Sequence, residues 1–235
     1  MTLSVRKPRR LTHNRSDLVY DRLKQRLITG ALRPGERLDV NALVGEMETS
    51  RQPVLAAISR LAAEGFLRVV PQVGCWVSTV EPEEVADFFK LFALTEGLSC
   101  ELAALRRTPA GLEVLRSNLA ATHALLKRSA KDRGALSQAF FLLNREFHGQ
   151  IHVMAQSDFV GDLASGMWDR CDFYLASVDP GIQGERVTVS VKEHEAIAAA
   201  IEAGDAKEAR ELMFRHITSF GAAAELLRHR SAGAA

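Results

Sequence analysis

The chain has 235 residues, 47% of them hydrophobic and 25% charged, with few aromatics and a formal net charge of +1. This is the composition of a globular protein with a real core, and it excludes fibrous, low-complexity and disordered classes. No stretch of about 18 uninterrupted apolar residues occurs, and the basic opening MTLSVRKPRR is not followed by the apolar run of a secretory leader. A cytoplasmic protein without a membrane span is the expectation.

The length suits a small module joined to a medium one. Charge divides the same way: up to residue 80 there are 13 Lys+Arg against 7 Asp+Glu, giving +6, and the remainder carries 17 against 22, giving −5. Such asymmetry suggests that the N-terminal part meets a polyanion while the rest does something else. Cys75, Cys100 and Cys171 are odd in number and far apart, as reduced thiols are.

Residues 1–15 carry Arg6, Lys7, Arg9, Arg10 and Arg15 with little apolar material and read as a flexible basic arm. A winged helix-turn-helix domain is expected over 16–80. Its first helix starts at Ser16 as N-cap, places Leu18, Leu23, Leu27 and Ile28 on one stripe and stops at Gly30. After the turn Arg33-Pro34-Gly35, a short helix runs from Asp39 to about Met47. Thr49-Ser50 then caps a third, whose Val54, Ile58 and Leu61 share one face. Gly65 ends it, and Phe66 to Val70 and Cys75 to Val80 are β-prone enough to pair as a wing.

Everything from 81 to 230 reads as an all-α antiparallel bundle, so the fold class is mainly α. Helices are expected at about 83–106, 109–130, 135–155, 158–177, 187–203 and 206–229. Their signals are Thr108-Pro109 as cap and first residue, Asp158 in a first turn, Gly204 as a stop and the pair Asp205 and Glu208. Val178 to Arg186, with Asp179-Pro180-Gly181, is the longest expected loop.

In a winged helix-turn-helix the third helix lies in the major groove of double-stranded DNA and the wing touches backbone or minor groove. Arg51 offers a guanidinium fork to guanine or phosphate at the helix entrance, with Ser50, Gln52, Leu55, Ser59 and Arg60 towards the open side. Arg37, Gln72 and Gly74 complete the candidate DNA-binding set. In the bundle, Asn144 and His148 share one side of a helix with Phe140, Phe147 and Ile151, His194 shares a stripe with Ile197 and Ile201, and His216 borders Met213, Ile217 and Phe220. Three inward histidines suit a divalent ion such as zinc or nickel. From the residues alone, ordinary hydrogen-bonded core histidines are the favoured reading. His152, one turn beyond His148, is expected at the surface or behind the ligands, and Arg145 and Arg215 in solvent.

The stretch LITGALRPGERLDVNALVGEMETSRQPVLAAISRLAAEGFLRVVPQVGCWV resembles the DNA-binding domain of the GntR family of bacterial transcription regulators. The matching residues are Gly30, Leu32, Pro34 to Leu38, Ser50-Arg51, Pro53-Val54, Leu61, Glu64-Gly65 and Gly74. The family usually has an arginine after Pro-Val, where this chain has Leu55, and often another before the wing glycine, where it has Val73. Residues 83–228 resemble the all-helical FCD-type effector domain of the FadR-like branch. That resemblance implies a divalent metal held by an aspartate and three histidines, matched here by Asn144, His148, His194 and His216. It also implies a small-molecule effector, commonly a carboxylate, beside the metal and near Glu96. An arginine found in some members four residues before that glutamate is replaced by Phe92. Arg145 adjoins the proposed ligands in sequence and joins Glu96 and Phe92 in the candidate effector-binding set.

The resemblance implies a homodimeric repressor that binds a palindromic operator and responds to a metabolite. Two other readings remain at this point. One is a helical metal-dependent enzyme using His148, His194 and His216 with Glu195 or Glu96 as base. The other is a non-specific architectural DNA-binding protein, which leaves the long acidic half without a role.

Overall fold

A computed structural model describes residues 15–128, 133–178 and 182–220. The basic arm, except Arg15, lies outside the described residues, as does the expected final helix beyond Phe220. The chain divides into two compact units that change over between Thr79 and Val80, with Ile28–Gly30 at the end of the first helix grouped with the second unit. Among the described residues no helix is long and apolar enough to cross a membrane.

The first unit contains α1 (Arg15–Ile28), β1 (Arg37–Leu38), α2 (Val40–Glu46), α3 (Arg51–Ala63), β2 (Leu67–Val70) and β3 (Gly74–Val77). α1 already includes Arg15 and Ser16, so Ser16 is not its cap. The buried stripe is Val19, Leu23 and Leu27, whereas Leu18 is 54% exposed. Leu18 lies one residue off the i, i+4, i+8 line that the core reads, a rotation of about 100° about the helix axis.

Asp39 caps α2, its side chain accepting from the backbone N–H groups of Asn41 and Ala42. Ser50 holds the extended backbone of an N-cap before α3 but makes no side-chain cap bond, which leaves its hydroxyl exposed. Val54, Ala57, Ile58 and Leu61 go into the core, while Arg51, Gln52, Leu55, Ser59 and Arg60 remain outside.

The wing is a three-stranded antiparallel sheet in the order β1-β3-β2. β2 and β3 form the expected hairpin, with Arg68 opposite Trp76 and Val70 opposite Gly74. β1 is the strand that periodicity misses. It is two residues long and exists through its pairing with β3, Arg37 opposite Trp76 and Leu38 opposite Cys75.

The second unit is helical throughout its described part: α4 (Pro82–Leu105), α5 (Pro109–Arg128), α6 (Arg133–Met154), α7 (Asp158–Val178), α8 (Ile182–Ala203) and α9 (Ala206–Ser219). The expected loop to Arg186 is shorter than its composition suggested. α8 resumes at Ile182, directly after Asp179-Pro180-Gly181, and absorbs Gly184. The expected caps form: Thr108 Oγ1 accepts from Gly111 N at 3.1 Å and Asp205 from Glu208 N at 3.0 Å. α4 runs through the centre of the unit, burying Phe89, Phe92, Ala93, Glu96, Gly97 and Cys100. It packs closely on α9 because Gly97 lacks a side chain. A Cβ there would lie 3.3 Å from the Arg210 carbonyl oxygen. The three cysteines are free and buried.

Candidate functional site

In the first unit the start of α3, the start of α2 and the wing border an open cleft of ≈ 510 Å³ lined by Arg37, Asn41, Arg51, Leu55 and residues from Val69 to Cys75. Arg51 donates from Nη1 to Asn41 Oδ1 at 2.7 Å, so α2 aims the guanidinium while its remaining donors stay exposed. Arg37 donates to the Val73 carbonyl at 3.1 Å and its guanidinium lies 5.8 Å from the Trp76 ring centroid, tying the strand to the wing tip. Arg68 approaches the same ring at 5.3 Å.

Arg60 is engaged within its own unit. Its guanidinium is 3.6 Å from the Tyr20 ring centroid, 3.3 Å from Glu64 and 3.7 Å from Asp17, which makes it a strut between α1 and α3. Gln72 is exposed at the wing tip with φ +62, and Gly74 beside it has φ +154. A Cβ on Gly74 would stand 3.0 Å from Trp76 and 3.2 Å from Arg37.

In the second unit α6, α8 and α9 bring His148, His194 and His216 together, all buried, with one ring nitrogen of each within 4.8 Å of the others. His194 Nε2 and His216 Nε2 are 3.3 Å apart. Carboxylates hold the far side of two rings. His148 Nδ1 lies 2.8 Å from Glu96 Oε2 and His216 Nδ1 lies 2.7 Å from Glu193 Oε2. Each Nδ1–H therefore donates outward, which assigns the tautomer that leaves the Nε2 lone pair facing the cluster. His148 Nε2 is buried without a hydrogen-bond partner. An orphaned lone pair in a buried centre is what a borderline divalent ion would satisfy.

The electrostatics keep these groups ready. Burial pushes the His148 imidazole down to about 4, overriding the Glu96 carboxylate, and burial together with the neighbouring His216 and His148 pushes His194 well below its ordinary range. Burial would raise Glu96, but hydrogen bonds from His148 and His152 hold it down to about 2. Glu96 is thus a buried carboxylate with three donors, counting Trp168 Nε1 at 3.1 Å.

Of the two places expected for His152, the structure selects the one behind the ligands. It is buried, with Nε2 2.7 Å from Glu96 Oε1 and Nδ1 3.2 Å from Ser165 Oγ, because α4 covers that flank of α6. The described residues also include a small cavity of ≈ 20 Å³ beside the histidines, lined by Asn144, Trp168, Ser190, His216 and Phe220 among others.

Two family models match the chain: bacterial regulatory proteins, gntR family, over residues 15–77, and the FCD domain over 87–219. The chain belongs to the GntR family, with an FCD effector domain. It is 32% identical over 209 residues to an HTH-type transcriptional regulator in an unstable DNA locus of Streptomyces ambofaciens, covering 87% of this chain and 82% of that one. It is 29% identical over 206 residues to the HTH-type transcriptional repressor GlaR of Escherichia coli K12, with 84% and 90% covered. The solved structure of E. coli McbR/YncC superimposes with a TM-score of 0.74 at 23% identity, covering 92% of this chain and 99% of that one, a likeness of fold.

This GntR-family chain is therefore a transcription regulator and not an enzyme. Of the two bases considered for an enzyme, Glu195 pairs with His123 at 2.7 Å on the exposed surface, and Glu96 backs His148 at 2.8 Å. In the FCD domain Asn144 is half-buried and shares the small cavity with His216. Phe92 is fully buried and meets Trp168 edge-on at 5.2 Å, so it contributes packing where some relatives have a cation.

Arg145 is not in solvent. It donates from Nε to Asp172 at 2.9 Å and from Nη2 to Asp169 at 2.7 Å, and lies 5.4 Å from the Trp168 ring. Two carboxylates occupy its fork, which leaves it tying α6 to α7. Arg215 is exposed and pairs with Glu208, as expected. Sequence reasoning missed Asn41, Trp168 and Glu193. Only Glu193 carried a signal, as the residue before His194.

Proposed function

We propose that this regulator is a homodimeric repressor that reads a palindromic operator through α3 and the wing. A small anionic metabolite bound in the FCD domain releases it. The observation that carries the effector half is the convergence of three buried imidazoles, two of them backed by carboxylates, on one orphaned nitrogen. His148, His194 and His216 would hold a divalent ion such as zinc or nickel, with the Asn144 amide oxygen as the fourth protein donor.

With neutral imidazoles and an amide as ligands, the ion keeps its full +2 charge, where an aspartate would leave +1. A more positive centre favours an anionic effector, with a carboxylate as its simplest form. Arg51, Gln52, Ser50, Leu55 and Ser59 would meet the major groove, and Gln72 and Gly74 the adjoining backbone. Arg37 and Arg60 would support them from within the domain. The repressor sense rests on the likeness to GlaR, and the absence of a membrane-crossing helix among the described residues fits a cytoplasmic place of action.

The test is a binding selection from genomic fragments with purified full-length protein at fixed salt, followed by footprinting and release assays with carboxylates suggested by the neighbouring genes. A short protected palindrome, lost on adding one metabolite in the presence of zinc or nickel, is the expected result. Equal affinity for all DNA at one salt concentration would overturn the reading.

A further inference from the structure

α3 presents Arg51, Leu55 and Ser59 on one exposed line, spaced i, i+4, i+8. The apolar residues that the core requires from this helix are Val54, Ala57, Ile58 and Leu61, all buried. Leu55 is not among them. It is 44% exposed and faces the cleft between α3 and the wing, with Arg51 one turn before it and the exposed Val69 and Val73 across from it.

A cation at this position could donate to guanine, and Leu55 cannot. The apolar feature that a base pair offers in the major groove is the C5 methyl of thymine. The net charge of +6 up to residue 80 matches this face to a polyanion, so the partner of an uncharged, protruding leucine there is a base edge and not a phosphate.

We propose that Leu55 is a specificity-determining residue that packs on a thymine methyl in the operator half-site. Arg51, aimed by Asn41, takes the neighbouring base or phosphate. The proposal rests on the sequence-specific regulator reading above. Residues i and i+4 lie about 6 Å apart along the helix, so the thymine falls within about two base pairs of the position that Arg51 contacts. An A·T pair thus stands where an arginine at the same helix position would favour G·C.

The experiment uses full-length protein and the selected operator, with each thymine of the half-site replaced in turn by uracil, which removes only the methyl. One substitution near the Arg51-dependent position should weaken wild-type binding about four-fold, the worth of one buried methyl-sized group. The same substitution should leave Leu55→Ala unchanged, and 5-methylcytosine opposite guanine at that position should recover part of the loss. Leu55 is half-exposed and alanine is a good helix former, so the variant keeps its fold, as far-ultraviolet circular dichroism would verify.

If no uracil substitution couples to residue 55 while sequence preference persists, the role of Leu55 is refuted and the regulator reading stands. If the protein shows no sequence preference at all, both fail together.

Discussion

Individual side chains here act through the partner that aims them. Arg51 is held by Asn41 at 2.7 Å, so in the proposed DNA contact its fork would arrive already oriented and lose less rotamer entropy on binding. Arg51→Ala is expected to cost about 1 to 3 kcal/mol of specific binding, and Asn41→Ala a smaller part of it, both read from equilibrium titration of the operator at constant salt. Unchanged affinity in Arg51→Ala would remove that residue from the interface. Glu96 plays the corresponding part for His148, accepting its Nδ1–H inside the core. Glu96→Gln can present its NH2 group to the ring and favour the wrong tautomer. Zinc or nickel affinity should then fall about 10- to 100-fold, measured by calorimetry on metal-free protein, while operator affinity without metal stays near wild type.

At the level of elements, much was legible because the signals are local. The caps at Asp39, Thr108 and Asp205 and the faces of α3 and α6 follow from residue type and period. What escaped depends on chain segments far apart in sequence. β1 is strand only because β3 lies beside it, and His152 is buried only because α4 carries Glu96 to it. Arg145 and Arg60 read as free cations until tertiary contacts supply Asp169 and Asp172 for one and Tyr20 for the other. The wing shows how narrow such dependence is. Gly74 sits at φ +154 under Trp76 and Arg37, so Gly74→Ala strains the backbone and presses on Trp76 and on the Arg37 side chain that holds the Val73 carbonyl. A loss of about 1 to 2 kcal/mol in stability is expected, with weaker operator binding at all sequences. A chemical-denaturation midpoint equal to wild type would show that the wing accommodates the methyl group without strain.

For the whole molecule the histidine centre links stability to pH and, on the proposed function, to metal. His148 has a pKa of about 4 in the folded protein, against 6.5 as its ordinary value, so the unfolded chain takes up a proton that the folded chain refuses between those limits. Stability is therefore full above about pH 6.5 and falls as the pH drops towards 4. The loss on this account is about 3 kcal/mol at most. Glu96, held at about 2 against 4.5, extends the same slope below pH 4.5. Because His148 and His194 are already neutral near pH 7, a divalent ion entering there displaces few protons from them. The proton release counted from calorimetric heats of zinc or nickel binding at pH 7, in buffers of different ionisation enthalpy, should then stay below one per ion. Metal at 100 times its dissociation constant should add about 2.7 kcal/mol of stability, and that increment should fade as the pH approaches 4, where His148 takes up its proton. His148→Gln, which carries no titrating proton at this position, should flatten the acid slope and lose much of the metal-dependent increment. If the wild type is as stable at pH 5 as at pH 7, and metal adds no increment at either, His148 and His194 are not a neutral, metal-ready pair. The effector domain would then have to sense its ligand without them.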